Sequence, residues 1–193
     1  MKKIYQEIFK LARPYLAVRE NQFHTEICYD YAVKLLNYYG GREDIVLPSI
    51  ILHDVGWSAL PDDKIYLAFG PKNPDKKLNR VHEIEGAKIA ATILRQLSFK
   101  NEDCLEICRI IENHDSGKNP ANLEERLVKD ADKLWRFNPD GFNTDYRRFD
   151  IAPLQYWDYL SVNREEWLFT DYAKSLAAEG LEKIRTKLLE ISI

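Results

Sequence analysis

The chain has 193 residues, somewhat above the usual size of one domain and below that of two. Hydrophobic residues make up 45% and charged residues 31%, too apolar for intrinsic disorder and ordinary for a globular domain. Lys and Arg total 28 against 31 Asp and Glu, and the net charge of −3 argues against a dedicated nucleic-acid binder, which carries a clear basic excess. A small anionic substrate, held by a few placed cations or by metal, stays open.

The opening MKKIYQEIFKLARPYL is broken by Gln6, Glu7 and Lys10 and lacks the apolar core of a signal peptide. It reads as a first helix over about 2–12, with Ile4, Ile8 and Leu11 on one stripe and a stop before Pro14. A second helix over about 21–39 carries Phe23, Ile27, Tyr31 and Leu35 on one face and ends at Gly40-Gly41. A third is expected from about Leu47 to Asp54, with Pro48 in its first turn. The best apolar run, Ile45 to Leu52, is interrupted by Pro48 and Ser49 and is too short to span a bilayer.

An irregular stretch from Gly56 to about Arg80 is punctuated by Pro61, Pro71 and Pro74, with one short helix near Pro61. Helices follow at about 81–98, 102–114 and 122–136. Beyond a connection at Asn138 to Gly141 comes an aromatic-rich tail. There Asn163 with Glu165-Glu166 reads as the N-cap and acidic first turn of a last helix running toward 190. The pattern predicts an all-α fold of about seven to nine helices with no significant sheet, in a single domain over 1–193. Cys28, Cys104 and Cys108 form no CxxC pair, and Cys104 and Cys108, one turn apart, read as small core residues. A reducing, cytoplasmic location is expected.

The four histidines fall at informative places. His24 shares its face with Ile27, Cys28 and Tyr31, and His114 shares its face with Ile107, Ile110 and Ile111, so both point inward. His53 follows Val46, Ser49 and Ile50 by seven, four and three positions, while His82 sits less decisively between Leu78 and Gly86. One inward imidazole is most simply a hydrogen-bonded core residue. Four of them, one followed directly by Asp54, shift the balance toward a divalent first-row metal, because a carboxylate is costly to bury unpaired.

The ordered set His24, LHDVG, HEIEGA, IIENHD and DADKL resembles the HD-domain superfamily of metal-dependent phosphohydrolases. The resemblance covers about residues 19–136, leaving 137–193 as a C-terminal helical elaboration. It implies an HD-domain helical array in which His24, His53, Asp54 and Asp132 hold one metal. Asp130 is the alternative to Asp132, since both flank the same apolar stripe; the family's ligand usually follows an alanine, which favours Asp132 and leaves Asp130 to cap or orient. His82 and His114 match the subset that binds two metals, with Asp54 bridging. The other arrangement is a single metal, with His82 and His114 hydrogen-bonding phosphate or metal-bound water. The implied cofactor is therefore one or two divalent ions, with Fe, Mn, Co, Ni, Mg and Zn all open. The implied activity is cleavage of a small phosphate ester, a nucleotide above all, by metal-activated water.

Arg19, five residues before His24, and Lys118, shortly after His114, are expected to join Asp54 as catalytic residues at the phosphate. Lys72, Lys76, Lys77 and Arg80 crowd the segment where a lid over the metals would lie, although a solvated loop explains each lysine equally well. Lys133 and Arg136 flank DADKL and read as solvent-facing. The tail aromatics, Tyr156, Tyr159 and Trp167 among them, read as core. The expected partner is a small anionic phosphate-containing substrate, with no nucleic-acid polymer, no membrane and the oligomeric state open. Two other readings compete. A diiron oxygenase of HD type uses the same ligands, and a metal-binding regulatory module without turnover is disfavoured by the intact ligand set.

Overall fold

The helical periodicity is realised in ten α-helices among the described residues, which in this computed structural model are 1–18, 21–71 and 74–191. In chain order they are α1 Lys3–Leu16, α2 Asn21–Tyr39, α3 Glu43–Leu52, α4 Asp62–Ile65, α5 Lys76–Gln96, α6 Asn101–Asn113, α7 Leu123–Leu134, α8 Pro139–Arg148, α9 Pro153–Trp167 and α10 Asp171–Ile191. Single 3-10 turns follow α3, at Val55–Ala59, and α7, at Trp135–Phe137. No strand occurs among the described residues, and none of their helices is long and apolar enough to cross a membrane.

The helix count exceeds the expected seven to nine because the aromatic tail divides into three helices rather than one. Asn163 is not a cap: it lies inside α9 and its amide donates to the Tyr159 carbonyl at 2.7 Å. Besides Asp171 in its own first turn, the approach to α10 is held by Asp130, which accepts from the Phe169 and Thr170 amides and from the Thr170 hydroxyl. Proline also marks boundaries less sharply than expected. α1 runs through Pro14, because the fully packed Leu16 anchors its last turn on the core. α3 starts at Glu43, which places Pro48 in its interior; Glu43 and Asp44 stabilise that earlier start against the N-terminal end of the helix dipole. The Gly40 and Gly41 stop after α2 is as read, with both residues at positive φ.

One apolar cluster threads the fold from Tyr5 to Ile184, with Ile8, Leu35, Ile50, Ile107, Leu127 and Leu160 all fully buried. α2 packs on α3 and α7, and α5 packs on α6 and on the 55–59 turn. Those contacts bring the first turn of α2, the C-terminal end of α3, the second turn of α5, the C-terminal end of α6 and the last turn of α7 to one place.

Gly56 makes the second contact set possible. A methyl group there would overlap the His82 carbonyl oxygen and crowd the Gly86 backbone, so the turn after α3 touches α5 main chain to main chain. Gly86, on the facing helix, has more room, with its nearest neighbours at 3.4 Å. We therefore expect Gly56→Ala to cost about 3 kcal/mol or more and Gly86→Ala clearly less, measured as the shift of the denaturant midpoint.

Candidate metal centre

The site is built where helices end. His53 is the C-cap of α3, and its Nδ1 donates to the Ile50 carbonyl at 2.8 Å; His114 is the C-cap of α6 and donates in the same way to Ile111 at 2.7 Å. Each hydrogen bond fixes the proton on Nδ1 and leaves Nε2 as the lone-pair nitrogen facing the interior. His24 reaches the same interior from the first turn of α2, and His82 from α5. All four imidazoles are buried, as are Asp54 and Asp132.

The donors fall into two sets that share one carboxylate. His24 Nε2 lies 3.1 Å from His53 Nε2, 3.4 Å from Asp54 Oδ2 and 3.3 Å from Asp132 Oδ1. His53 Nε2 lies 3.6 Å from Asp54 Oδ2 and 3.5 Å from Asp132 Oδ1. On the other side of Asp54, Oδ1 lies 3.8 Å from His82 Nε2 and 3.7 Å from His114 Nε2, and these two nitrogens are 3.3 Å apart. Metal bonds of about 2.0–2.2 Å meeting at tetrahedral or octahedral angles put neighbouring ligand atoms about 2.8–3.6 Å apart. The distances from His24 and His53 to one another and to both carboxylates in the first set fit that spacing. The second is slightly wider and offers three donors, which leaves coordination positions for water or substrate.

The electrostatics suit a cation. Burial pushes the His53 imidazolium down, but Asp54 and Asp132 outweigh it and lift the group to about 9. Burial and the neighbouring His114 push His82 down to about 4, and burial likewise lowers His24. Burial raises the Asp132 carboxyl, yet Lys133 and the two histidines carry it well below the ordinary carboxylate range. The Asp54 and Asp132 carboxylates set among four buried imidazoles form a donor set for a divalent first-row ion, whose binding would displace the proton that His53 holds in its absence.

A surrounding shell holds the donors. The Trp57 indole donates to Asp54 Oδ1 at 2.8 Å, and its ring stacks on His82 at 3.7 Å. Lys129 is buried and donates to the carbonyls of Asn113, His114 and Gly117, closing the C-terminal end of α6. Glu83, also buried, accepts from the Asp115 and Ser116 amides and so ties the turn after His114 to α5. Cys28, one turn along α2, places its sulfur 3.5 Å from His24 Nε2 and completes a second possible donor group with His24, His53 and Asp132. Its i+4 spacing from His24 was the only sequence signal for that placement.

Lys118 lies exposed on the segment between α6 and α7, and Arg19 and Lys72 lie outside the described residues. Lys76 and Lys77 are exposed in the first turn of α5, while Arg80 pairs with Glu83 and Glu112. Lys133 and Arg136, read as solvent-facing, instead flank the centre. Lys133 Nζ bridges Asp115 at 2.6 Å and Asp132 at 3.0 Å, and Arg136 lines the cleft that contains His24, Asp54, His114 and Asp132. The i+4 step from Asp132 to Arg136 puts both on one side of the helix end, a signal present in the sequence and overlooked.

A family model described as HD domain matches residues 23–136, a stretch that holds all six donors. A crystal structure at 1.45 Å described as a predicted HD superfamily hydrolase from an uncultured Thermotogales bacterium superposes with a TM-score of 0.66. It covers 96% of this chain and 90% of its own length at 17% identity, a likeness of fold. No match was found among the curated proteins.

Asp130 and Asp132 separate cleanly by experiment. Asp130→Asn turns an amide NH₂ toward the Thr170 donors and should cost about 1–3 kcal/mol in denaturant unfolding, with divalent-metal content unchanged. Asp132→Asn should fold and lose metal, read by elemental analysis after dialysis.

Proposed function

Because the chain belongs to the HD domain family of metal-dependent hydrolases, we propose that it hydrolyses a small phosphate ester. The observation that carries this reading is the Asp54 carboxylate, with one oxygen toward His24 and His53 and the other toward His82 and His114. Two divalent ions would be held by His24, His53, Asp54 and Asp132 on one side and by Asp54, His82 and His114 on the other. Divalent ions supply a Lewis-acid centre that lowers the pKa of a coordinated water and neutralises phosphoryl charge. Two such ions against the two carboxylates would give a net positive site, which suits an anionic phosphate.

The chain's own residues contribute binding, orientation and exclusion of water. Trp57, Phe69 and Trp135 wall the cleft over the donors, which lowers the local dielectric and strengthens each charge interaction. Lys133, held by Asp115, keeps a fixed ammonium beside Asp132, and Arg136 adds a planar guanidinium suited to two phosphoryl oxygens at once. Asp115 orients Lys133, because its carboxyl is held well below the usual range; burial alone would raise it, and Lys133 and His114 reverse that.

His53→Ala and Asp54→Ala should each lower phosphoesterase activity by at least about 10²-fold while the circular dichroism of the fold is kept. A panel of phosphate esters with added Mn²⁺, Co²⁺, Ni²⁺, Mg²⁺ or Fe²⁺ should give chelator-sensitive turnover that is equal in air and under anaerobic conditions. Turnover that requires O₂ would move the site to diiron oxygenase chemistry, and metal binding without turnover on any ester would leave a regulatory module.

A further inference from the structure

Beside the metal centre lies a cavity of ≈ 270 Å³ walled by Phe69, Phe149, Tyr156, Tyr159 and Trp167. Its polar end is formed by Asp115, Lys133 and Arg136. Phe69, Asp115 and Arg136 also line the narrow cleft over His24, Asp54, His114 and Asp132, so the aromatic space and the donor set share a wall. Phe69, Tyr159 and Trp167 are each only partly buried, which distinguishes this wall from the closed core formed by Phe142 and Leu160.

We infer that this cavity receives a planar ring on the alcohol side of the phosphate ester, with Arg136 holding the phosphoryl group at the junction. The inference rests on the phosphate-ester reading above and adds to it the class of leaving group. Arg136 Nη1 is buried without a hydrogen-bond partner among the described residues. A buried guanidinium N–H without an acceptor is costly, and a phosphoryl oxygen is the acceptor that its position offers. Lys133, the other cation at this end, is already engaged by Asp115 and Asp132. The Arg136 guanidinium carbon lies 6.0 Å from the centre of the Trp167 ring, so the same group joins the anion site to the aromatic wall.

The walls are ring surfaces packed edge to face: Tyr159 meets Trp167 at 5.4 Å and 70°, and Phe69 meets Phe149 at 5.7 Å and 72°. Such walls favour a flat aromatic guest over a flexible aliphatic one. The volume sits just under the usual range of about 300–1,000 Å³ for ligand sites, which suits one ring system with its linker and not two nucleosides. In the reaction the oxygen of water forms a new bond to phosphorus and the ester P–O bond breaks. The leaving alkoxide oxygen takes up one proton of that water, so the ring departs as the alcohol on its own side of Arg136.

The test compares benzyl phosphate with n-butyl phosphate, whose leaving alcohols are similar in acidity, and adds a nucleoside 5′-monophosphate to separate a simple aryl guest from a nucleobase. With Mn²⁺-loaded full-length protein, kcat/KM for benzyl phosphate should exceed that for butyl phosphate at least tenfold, chiefly through KM. Trp167→Ala should bring the benzyl-to-butyl ratio toward one, and Trp167→Phe should restore it; Tyr159→Leu takes the place of Trp167→Ala if that variant does not fold. A second readout uses metal-free protein. Benzyl phosphate should quench tryptophan fluorescence with at least tenfold higher affinity than butyl phosphate, and Arg136→Met should weaken both. Equal kcat/KM for the two esters, or a ratio indifferent to Trp167, overturns the ring pocket while leaving phosphate-ester hydrolysis standing. Absence of hydrolysis of every ester overturns the proposed function, and the fluorescence titration then still decides whether the cavity selects a ring.

Discussion

Everything at this site depends on one buried carboxylate placed between two pairs of imidazoles. Asp54 follows the last turn of α3, and its two oxygens face opposite ways, toward His24 and His53 on one side and toward His82 and His114 on the other. Burying a carboxylate in an apolar helical core is costly unless a cation or several donors compensate. The fold supplies Trp57 as a donor to one oxygen and two histidine pairs, in each of which one ring, His53 or His114, has its Nδ1 tied to a helix-end carbonyl and its Nε2 turned toward Asp54. That is a poor arrangement for a structural ion pair and a good one for divalent metal.

The helices serve this constraint in specific ways. Because His53 and His114 sit at helix C-termini, their Nδ1 groups donate to carbonyls of the last helical turn, so one hydrogen bond both ties down the helix end and orients the ring. Gly56 lets the turn after Asp54 lie against the α5 backbone at His82, which brings the second pair within reach of the first. Lys129 and Glu83 use buried charges to lock the turn carrying His114 and Asp115. The donor set is thus pre-organised by main-chain contacts, the condition under which fixed charges act most strongly on a bound anion.

Much of this was legible in the sequence, for identifiable reasons. α2 was readable to its ends because Gly40 and Gly41 stop it, and His24 was placed inward by its apolar neighbours at i+3, i+4 and i+7. The six candidate donors came from the resemblance of their ordered motifs to the HD-domain superfamily, and the structure brings those six side chains together. Pro14 and Pro48 misled, because tertiary packing of Leu16 and an acidic first turn at Glu43 overrode local preference. Asn163 misled because its amide satisfies a carbonyl within its own helix. Periodicity placed Arg136 on the side of Asp132, one turn on, but it does not supply the surroundings of Lys133 and Arg136, which come from Asp115, 18 residues back along the chain, and from a cavity closed by α9. Asp130 and Asp132 were inseparable on a helical wheel; only the arrival of α10 above Asp130 separates them.

The shared role of Asp54 is tested most directly by anomalous diffraction from crystals of the full chain grown with Mn²⁺. Two anomalous peaks, one against Asp54 Oδ2 with His24, His53 and Asp132 and one against Oδ1 with His82 and His114, are the predicted result. A single peak confined to one side of Asp54 under saturating Mn²⁺, or peaks away from these donors altogether, would contradict it.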